Sequence, residues 1–251
     1  MTATIDAASW QESWDRQQES YMPDREERYA ALLDVVEAVC AEQGRRPRVL
    51  DLAGGTGSIA LRLLDRFPDA DVTLVDVDPA LLAIARGSLG DRATIRRADL
   101  GDPSWSDGLP QFDAVLTATA LHWIQGERLA VLFREIRDVL RDGGAFVNAD
   151  HAADDGLPSL SAKLRDLGRA RRNAVYDRGE AVDWEQWWVE AAADPALAGL
   201  VAERNAHFKG AHAQGFSPPV SWHLDALRAA GFTEVGLVWR GLTDAGIAAV
   251  R

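Results

Sequence analysis

The chain has 251 residues, of which 47% are hydrophobic, so it can bury the core of one large domain. Its 39 acidic and 27 basic residues give a net charge of −12, which disfavours nucleic acid and anionic membranes as partners because like charges repel. A single cysteine, Cys40, excludes an internal disulfide, and the chain shows no signal-like or membrane-length apolar run. We therefore expect a cytoplasmic protein.

The N-terminal segment, residues 1–43, carries aromatic residues ahead of a helical pattern. Trp10, Trp14 and Tyr21 come first. The amphipathic stretch from Arg25 to Cys40 follows them. We predict that this segment packs as a helical lid across the top of the sheet described next.

From residue 47 onward, strand and helix patterns alternate in the order of a doubly wound parallel α/β sheet. Pro79 opens one helix, with Asp78 as its cap. A later helix from about Gln125 is expected to stop at Asp142-Gly143-Gly144. The predicted strands are Pro47–Leu52, Asp71–Val77, Ala93–Arg97, Phe112–Thr117, Ala145–Ala149, Phe232–Trp239 and Ile247–Val250, the last two as a hairpin.

A glycine-rich turn, Asp51-Leu52-Ala53-Gly54-Gly55-Thr56-Gly57, joins the first strand to a helix. Gly55 and Gly57 let the backbone approach a ligand, and the helix N-terminus supplies unpaired N–H donors. With Asp76 at the end of the second strand, the pattern is typical of a nucleotide cradle. Two cofactors use such a cradle, NAD and S-adenosylmethionine (SAM).

Asp51 distinguishes these cofactors by its charge. A carboxylate facing the turn would repel the pyrophosphate of a dinucleotide, whereas it would attract the ammonium and sulfonium groups of SAM. The sequence therefore favours SAM, and NAD(P) is the alternative.

Residues 152–221 interrupt the alternation of strands and helices with an aromatic-rich segment that includes Trp184, Trp187 and Trp188. A helical insertion at the ligand edge of a sheet is typical of a substrate cap. The alternative is a helical pair with a tryptophan core of its own.

Within this insertion, Arg165, Arg169 and Arg172 fall on one helical face. That face is a candidate for pairing with a carboxylate or phosphate of a ligand, and the alternative is a solvated basic face. We expect no metal site, because no cysteine pair exists and His207 and His212 are too far apart for adjacent helical turns.

Taken together, these motifs resemble the class I SAM-dependent methyltransferases over roughly residues 21–149 and 222–251. The matching pieces are Val49–Gly57, Val75–Pro79, Ala98–Leu100, Phe112–Val115, Val139–Gly144 and Leu227–Phe232. The resemblance implies a Rossmann-like, seven-stranded sheet with an antiparallel last strand. It also implies a SAM-binding core over residues 44–151 and 222–251, with the insertion at 152–221 as a cap.

The resemblance also implies roles for the cofactor residues. Asp76 would accept hydrogen bonds from both ribose hydroxyls, Asp99 and the Leu100 N–H would bracket the adenine, and Thr117 would face the methionine part. Ala53 stands where the family usually has glycine, which adds a Cβ near the ligand. The expected cofactor contacts are Asp51, Ala53, Gly55, Gly57, Asp76, Val77, Asp99, Leu100 and Thr117.

The run Ala120-Leu121-His122-Trp123-Ile124 follows the fourth strand, where this family binds its acceptor. It is similar to the corresponding stretch of trans-aconitate and malonyl-carrier carboxyl methyltransferases. His122 is a candidate base or hydrogen-bond donor and Trp123 a candidate apolar wall for the substrate, unless both simply pack under the next helix. His151 is a second catalytic candidate.

Tyr21 and Arg169 are further substrate candidates. The function implied by the resemblance is methyl transfer from SAM to a small molecule, at an oxygen that belongs to a carboxylate or a hydroxyl. The alternatives are an NAD(P)-dependent reductase and a SAM-binding protein without transfer activity.

Overall fold

The structure, a computed structural model, describes residues 4–22, 24–41, 44, 46–209 and 215–251. Its centre is a seven-stranded sheet in the order β3-β2-β1-β4-β5-β7-β6. The first five strands pair in parallel, whereas β7 is antiparallel to both β5 and β6. The expected doubly wound sheet with an antiparallel last strand is confirmed. The strands are β1 Arg48–Leu52, β2 Asp71–Asp76, β3 Ala93–Arg97, β4 Phe112–Ala118, β5 Leu140–His151, β6 Glu234–Arg240 and β7 Asp244–Val250.

Helices flank this sheet. In chain order they are α1 Ala7–Tyr21, α2 Arg25–Cys40, α3 Ser58–Arg66, α4 Pro79–Leu89, α5 Gly126–Val139, α6 Pro158–Asp177, α7 Trp184–Ala193, α8 Ala198–His207 and α9 Val220–Ala229. The Asp78 carboxylate caps α4 as predicted, since it accepts from the N–H groups of Ala80 and Leu81 at 2.9 and 3.2 Å. Within the described part of the chain, no helix combines the length and the apolar character needed to cross a membrane.

Apolar side chains fill both faces of the sheet, because successive residues of a strand point to opposite sides. Val115 and Phe146 pack on the side of α5 and α9, while Leu116 and Val147 pack on the side of α2, α3 and α4. Cys40 lies in the second of these cores. Because strands β1 to β5 are parallel, their C-terminal ends all lie at one edge of the sheet, where folds of this type bind ligands.

Strands β5 and β7 are longer than the sequence predicts. Residues Asp142–Gly144, predicted to form the stop after α5, belong to β5. Their backbone pairs with the C-terminal end of the chain: Gly143 N–H donates to the Arg251 carbonyl at 3.2 Å, and the Gly144 carbonyl accepts from Arg251 N–H at 2.9 Å. Strand β7 likewise begins earlier than predicted, at Asp244. Long-range pairing overrides the local turn signal of the glycines.

Tryptophans join the N-terminal segment to the insertion. The Trp14 ring lies 4.9 Å from the Trp187 ring, centroid to centroid, in an edge-on contact. The indole N–H groups of Trp10 and Trp187 donate to Asp194 and Ser13 at 2.7 and 2.8 Å. Helices α1 and α7 therefore share one aromatic core instead of packing as separate units.

Candidate cofactor and acceptor site

A cavity of about 680 Å³ lies at the ligand edge of the sheet, past the ends of β1 to β4. Trp14 of α1, Trp184 and Trp188 of α7 and Trp123 after β4 also line it. A volume of this size is typical of a small-molecule site. Among the predicted cofactor residues, those on its wall are Ala53, Gly55, Asp76, Val77, Asp99 and Leu100.

Two predicted cofactor residues support the turn from behind and do not line the cavity. Asp51 is fully buried, and its Oδ2 accepts the Ala60 N–H at 3.1 Å. Gly57, at a φ of 86°, precedes α3, and a Cβ added there would come within 2.8 Å of Leu89 Cδ1. The glycine at 57 is therefore required by backbone conformation and packing more than by ligand approach.

Thr117 also lies off the cavity wall. Its side chain is fully buried and follows Val115 by two residues, so strand alternation directs it to the core beside α5 and α9. The neighbouring Ala118 and Thr119 line the cavity in its place. Thr119 adopts a φ of 50°, a left-handed conformation that is uncommon for a β-branched residue. The role predicted for Thr117 stays a prediction, and the residues on the cavity wall at this end of β4 are Ala118 and Thr119.

The turn after β1 is held in a left-handed conformation at two positions. Ala53 and Gly55 have φ values of 54° and 57°. Gly54, between them, packs so tightly that an added Cβ would lie 2.7 Å from Asp51 Cγ and 2.8 Å from Leu74 Cγ. The departure from the family's glycine therefore falls at a position where an L-residue is strained.

We expect Ala53→Gly to stabilise the folded protein. Removing the Cβ relieves left-handed strain of about 1–2 kcal/mol, part of which is offset by the greater chain entropy of glycine, so the free energy of unfolding should rise by about 0.5–1 kcal/mol. Gly54→Ala is the matched contrast and should destabilise the protein, because its Cβ would overlap Asp51. Urea denaturation of both variants measures the two effects, and a loss of stability in Ala53→Gly would contradict this explanation.

Asp76 combines two backbone contacts with a place on the cavity wall. Its Oδ2 accepts the Gly55 N–H and its Oδ1 the Asp78 N–H, both at 2.8 Å. Each carboxylate oxygen has two lone pairs, so both oxygens retain capacity for a ligand. Burial raises the pKa of the Asp76 carboxyl to about 6.

One carboxylate oxygen of Asp51, beneath the same turn, accepts no hydrogen bond from the described residues. Its Oδ1 is buried and has no hydrogen-bond partner among the described residues. Burial, together with the nearby charge of Asp76, raises the pKa of the Asp51 carboxyl to about 7. An unpaired buried carboxylate is costly, so this position favours a cationic or hydrogen-bond-donating ligand group.

Arg25 is a cavity residue that sequence reasoning missed. It is 3% exposed, its Nη2 lies 2.8 Å from Asp15 Oδ1, and its guanidinium lies 4.8 Å from the centroid of the Tyr29 ring. The Nε atom of Arg25 is buried without a partner among the described residues. An arginine in the first turn of an amphipathic helix is ordinarily read as solvent-exposed, so no local signal marks it.

The insertion closes over the cavity beside the ends of β2 and β3. Arg204 of α8 lies 2.8 Å from Asp78, with its guanidinium 3.8 Å from the Trp188 ring centroid. His207 of the same helix lies 3.4 Å from Asp99. Helices α7 and α8 therefore cover the part of the cavity formed by the residues after β2 and β3. Trp187 does not line the cavity and belongs instead to the aromatic core that α7 shares with α1.

His122 and His151 meet beyond β4 and β5, each paired with an aspartate. The Nδ1 atom of His122 lies 2.8 Å from Asp150 Oδ1, and that of His151 lies 2.6 Å from Asp244 Oδ1. The two imidazole rings are 5.3 Å apart. His122 itself is 9% exposed and lies beside the cavity, where its ring is 4.8 Å from that of Trp123.

The predicted substrate residues Tyr21 and Arg169 lie in different surroundings. The Tyr21 ring contacts that of His151 at 5.8 Å. Arg169 is largely exposed and lies 3.9 Å from Asp166 on the same helix. Arg172, on the same predicted face, instead contacts Tyr21, with its guanidinium 4.9 Å from the Tyr21 ring centroid.

The fold also gathers potential metal ligands that sequence spacing does not reveal. His122, Asp150 and His151 each offer a ligating atom, and these atoms lie within 4.8 Å of one another. Both oxygens of Asp150 are already engaged, because they accept the His151 N–H at 2.8 Å and the His122 N–H at 3.2 Å in addition to the imidazole contact. Asp150 therefore has the contacts of an orienting carboxylate. His212 lies outside the described residues.

The central part of the chain matches a known family. Residues 49–144 match the family model described as a methyltransferase domain. This range contains the turn after β1, Asp76, Asp99 and the run around His122. These findings support a class I SAM-dependent methyltransferase. Its cofactor is SAM, and this assignment replaces the NAD(P)-dependent alternative.

Curated relatives are similar over part of their length. The chain is 33% identical over 156 residues to malonyl-[acyl-carrier protein] O-methyltransferase of Geobacter sulfurreducens, covering 58% of this chain and 56% of that protein. It is 34% identical over 129 residues to the ubiquinone/menaquinone biosynthesis C-methyltransferase of Methylobacterium nodulans, covering 50% of each. The chain thus spans about half the length of the curated relatives it matches.

Solved methyltransferase structures share the fold. An O-methyltransferase family 2 protein from Planctomyces limnophilus superposes with a TM-score of 0.60 at 16% identity, covering 99% of this chain and 62% of that one. Human N-acetylserotonin methyltransferase, solved in complex with SAM, gives a TM-score of 0.58 at 15% identity, covering 100% of this chain and 60% of that one. At these identities, the likeness concerns the fold of this methyltransferase chain.

The residues around the turn fit the chemical groups of SAM. Asp51 lies behind the turn, where its charge would attract the ammonium group, and the free lone pairs of Asp76 would accept hydrogen bonds from the ribose hydroxyls. Arg25, with its unpartnered Nε, would hold the methionine carboxylate. SAM supplies an activated methyl group on its sulfonium when bound.

We expect SAM to bind more tightly as the pH rises from about 5 to about 8. The pKa of the Asp51 carboxyl is raised to about 7, so this group is protonated below pH 7 in the unliganded protein. Its contribution to the free energy of unfolding is lost as the pH rises through 7. An ammonium group favours the carboxylate, so SAM binding should release a proton and gain up to about tenfold in affinity per pH unit below 7. Calorimetry across this range measures the slope, which Asp51→Asn should flatten. Affinity independent of pH in the wild type would contradict the role of Asp51.

Proposed function

We propose that the chain transfers a methyl group from SAM to an oxygen atom of a small molecule, with His122 as the general base. The observation that carries this proposal is the buried His122–Asp150 pair, with 2.8 Å between Nδ1 and Oδ1; neither residue lines the cofactor cavity, but Ala120 and Trp123 on either side of His122 do. A histidine fixed by a carboxylate at one ring nitrogen has its other nitrogen available for proton transfer.

The order of strands supports this placement of the acceptor. Leu100, Asp76 and Ala53 follow the neighbouring strands β3, β2 and β1, so they would receive the adenine, the ribose and the methionine part in turn. Strands β4 and β5 come next in the sheet and carry Ala118 and Asp150 at their ends. The sulfonium methyl would therefore face the β4–β5 side, beside His122.

Asp150 would keep His122 ready for this role. Although burial acts to raise it, the pKa of the Asp150 carboxyl lies below its usual value because of the neighbouring His122 and His151. As a carboxylate it accepts the Nδ1–H of His122 and leaves Nε2 unprotonated. Nε2 would then take the proton of an acceptor hydroxyl as the oxygen attacks the methyl carbon in line, and the C–S bond breaks.

The segments outside the SAM-binding core would enclose this reaction. We propose that residues 1–43 act as a lid and residues 152–221 as a cap over the core of residues 44–151 and 222–251. Trp14 of the lid and Trp188 of the cap line the same cavity. Excluding water there would strengthen the electrostatic contacts to SAM. The net charge of −12 favours a small-molecule acceptor over nucleic acid.

Oxygen is favoured over carbon or nitrogen on two grounds. The His122–Asp150 pair suits the removal of a hydroxyl proton. In addition, one of the matched relatives is named as an O-methyltransferase, although another is a C-methyltransferase. A carboxylate acceptor would need no base, and His122 would then orient it.

Incubation with SAM carrying a labelled methyl group and a small-metabolite extract tests the proposal. Label should enter small molecules with the wild type, and base hydrolysis separates methyl esters, which release the label, from ethers, which retain it. Products that retain the label after base hydrolysis, and whose mass spectra place it on carbon or nitrogen instead of an ether oxygen, would overturn the assignment to oxygen. SAM binding with no labelled product from any extract would instead favour a SAM-binding protein without transfer activity.

A further inference from the structure

We infer that the acceptor carries a carboxylate in addition to its reacting oxygen, and that His151 and Arg172 bind this carboxylate. The inference rests on the proposed function, whose acceptor side it specifies. Both residues lie on the β5 side of His122, one at the end of β5 and the other on α6.

Arg172 is a cationic group without an anionic partner. Its guanidinium lies 4.9 Å from the centroid of the Tyr21 ring, and no carboxylate of the described residues pairs with it. Arg169, one turn earlier, is instead exposed beside Asp166. A guanidinium that lies over an aromatic ring and is partly buried is well suited to bind a carboxylate through two parallel hydrogen bonds.

His151 offers a second group that can bind a carboxylate. Its Nδ1 lies 2.6 Å from Asp244 Oδ1, and Arg28 holds the other oxygen of Asp244 at 2.8 Å. Burial acts to lower the pKa of His151, but Asp244 and Asp150 outweigh it, so the pKa lies above its usual value. The side chain is 30% exposed, which leaves Nε2–H accessible to a ligand.

The charges around His151 do not cancel once its ring is protonated. Arg28 and Arg172 balance the two negative charges of Asp150 and Asp244, so protonation of His151 adds one net positive charge. A partly buried excess of positive charge in a chain of net charge −12 favours an anionic ligand.

The other titratable groups near this pair are neutral. Burial raises the pKa of the Tyr21 hydroxyl above its usual value. Burial also lowers the pKa of His223, on α9, to about 4, so that this imidazole is uncharged at neutral pH. Burial likewise raises the pKa of the Tyr176 hydroxyl, one turn beyond Arg172. None of the three therefore offsets the excess positive charge.

His151 and Arg172 also lie where an acceptor that extends from the cavity would be found. Trp14 and Gln18 line the cavity from one face of α1, and Tyr21 continues that face at helical spacing. The Tyr21 ring contacts His151, whose ring is 5.3 Å from that of His122. A carboxylate bound at His151 and Arg172 would thus hold a neighbouring oxygen of the same molecule close to His122.

Binding of a simple dicarboxylate tests this inference without knowledge of the natural acceptor. The wild type is first saturated with S-adenosylhomocysteine (SAH) and then titrated with succinate, with succinamide as the uncharged analogue and sulfate as a phosphate-like anion. Resonances of the His151 ring, assigned with His151→Gln, report the binding site. We expect succinate to bind, to shift the His151 titration to higher pH, and to outcompete both sulfate and succinamide.

Two arginine variants separate the site from general charge effects. Arg172→Ala should weaken succinate binding at least tenfold, Arg172→Lys should restore part of it, and the exposed Arg171→Ala should leave it unchanged. Equal succinate binding in Arg172→Ala and the wild type would overturn the inference, as would equal binding of sulfate. SAH affinity is measured in every variant, because loss of SAH binding concerns the cofactor site, whereas loss of succinate binding alone concerns the acceptor site.

Discussion

Replacing His122 with asparagine is expected to lower kcat by about 100-fold or more while the fold and SAM binding persist. Asparagine retains a hydrogen-bonding group near Asp150 but has no nitrogen that takes up a proton at neutral pH. The wild-type rate should also fall toward acid pH, because a protonated imidazole no longer accepts the hydroxyl proton. Steady-state kinetics on the acceptor found by labelling, with a thermal melt of the same preparation, measure these effects.

Asp150→Asn is the matched variant for this experiment. The variant should keep the contact with His122 but lower kcat. The amide of the introduced asparagine neither selects the His122 tautomer that is protonated at Nδ1 nor stabilises the His122 imidazolium that forms in the reaction. A rise in KM with kcat nearly unchanged in His122→Asn would indicate orientation of an acceptor carboxylate. A lower melting temperature with intact kinetics would show that His122 is a core residue and would refute its proposed catalytic role.

Replacing Asp76 with alanine should weaken SAM binding by about 30- to 150-fold, which corresponds to about 2–3 kcal/mol. The variant would lose the acceptor of the ribose hydroxyls and also the contacts that hold the Gly55 and Asp78 amides. Tryptophan fluorescence should report binding directly, because Trp14, Trp184 and Trp188 line the cavity.

Asp102→Ala is a suitable control for the Asp76 variant. Asp102 is exposed and its carboxylate accepts hydrogen bonds from the N–H and hydroxyl of Ser104, so replacing this side chain should leave SAM affinity unchanged. If Asp76→Ala bound SAM as tightly as the control does, the ribose assignment would be wrong.

The sheet and the turn were predictable because their signals are local. Alternating apolar strands, the glycines at 55 and 57, and Asp78 before Pro79 each constrain a few adjacent residues. The end of β4 was harder to place. A shift of one residue exchanges the two faces of a strand, so Thr117 was assigned to the ligand although Ala118 and Thr119 line the cavity.

The acceptor side depends on residues that only the topology brings together. His151 pairs with Asp244 of β7, and Arg172 of α6 reaches Tyr21 of α1. No spacing within one helix or strand encodes these contacts. Arg25 was missed for the same reason, since it is buried in contact with Asp15 of the preceding helix α1.

Calorimetric titration of SAH and of NAD into the wild-type protein tests the central claim most directly. SAH carries the adenosine and amino-acid groups for which Asp76, Asp51 and Arg25 are proposed. We predict one SAH bound per chain, with affinity that rises with pH up to about 7–8, and no saturable heat from NAD. Saturable binding of NAD without binding of SAH would contradict the assignment of this cavity to SAM.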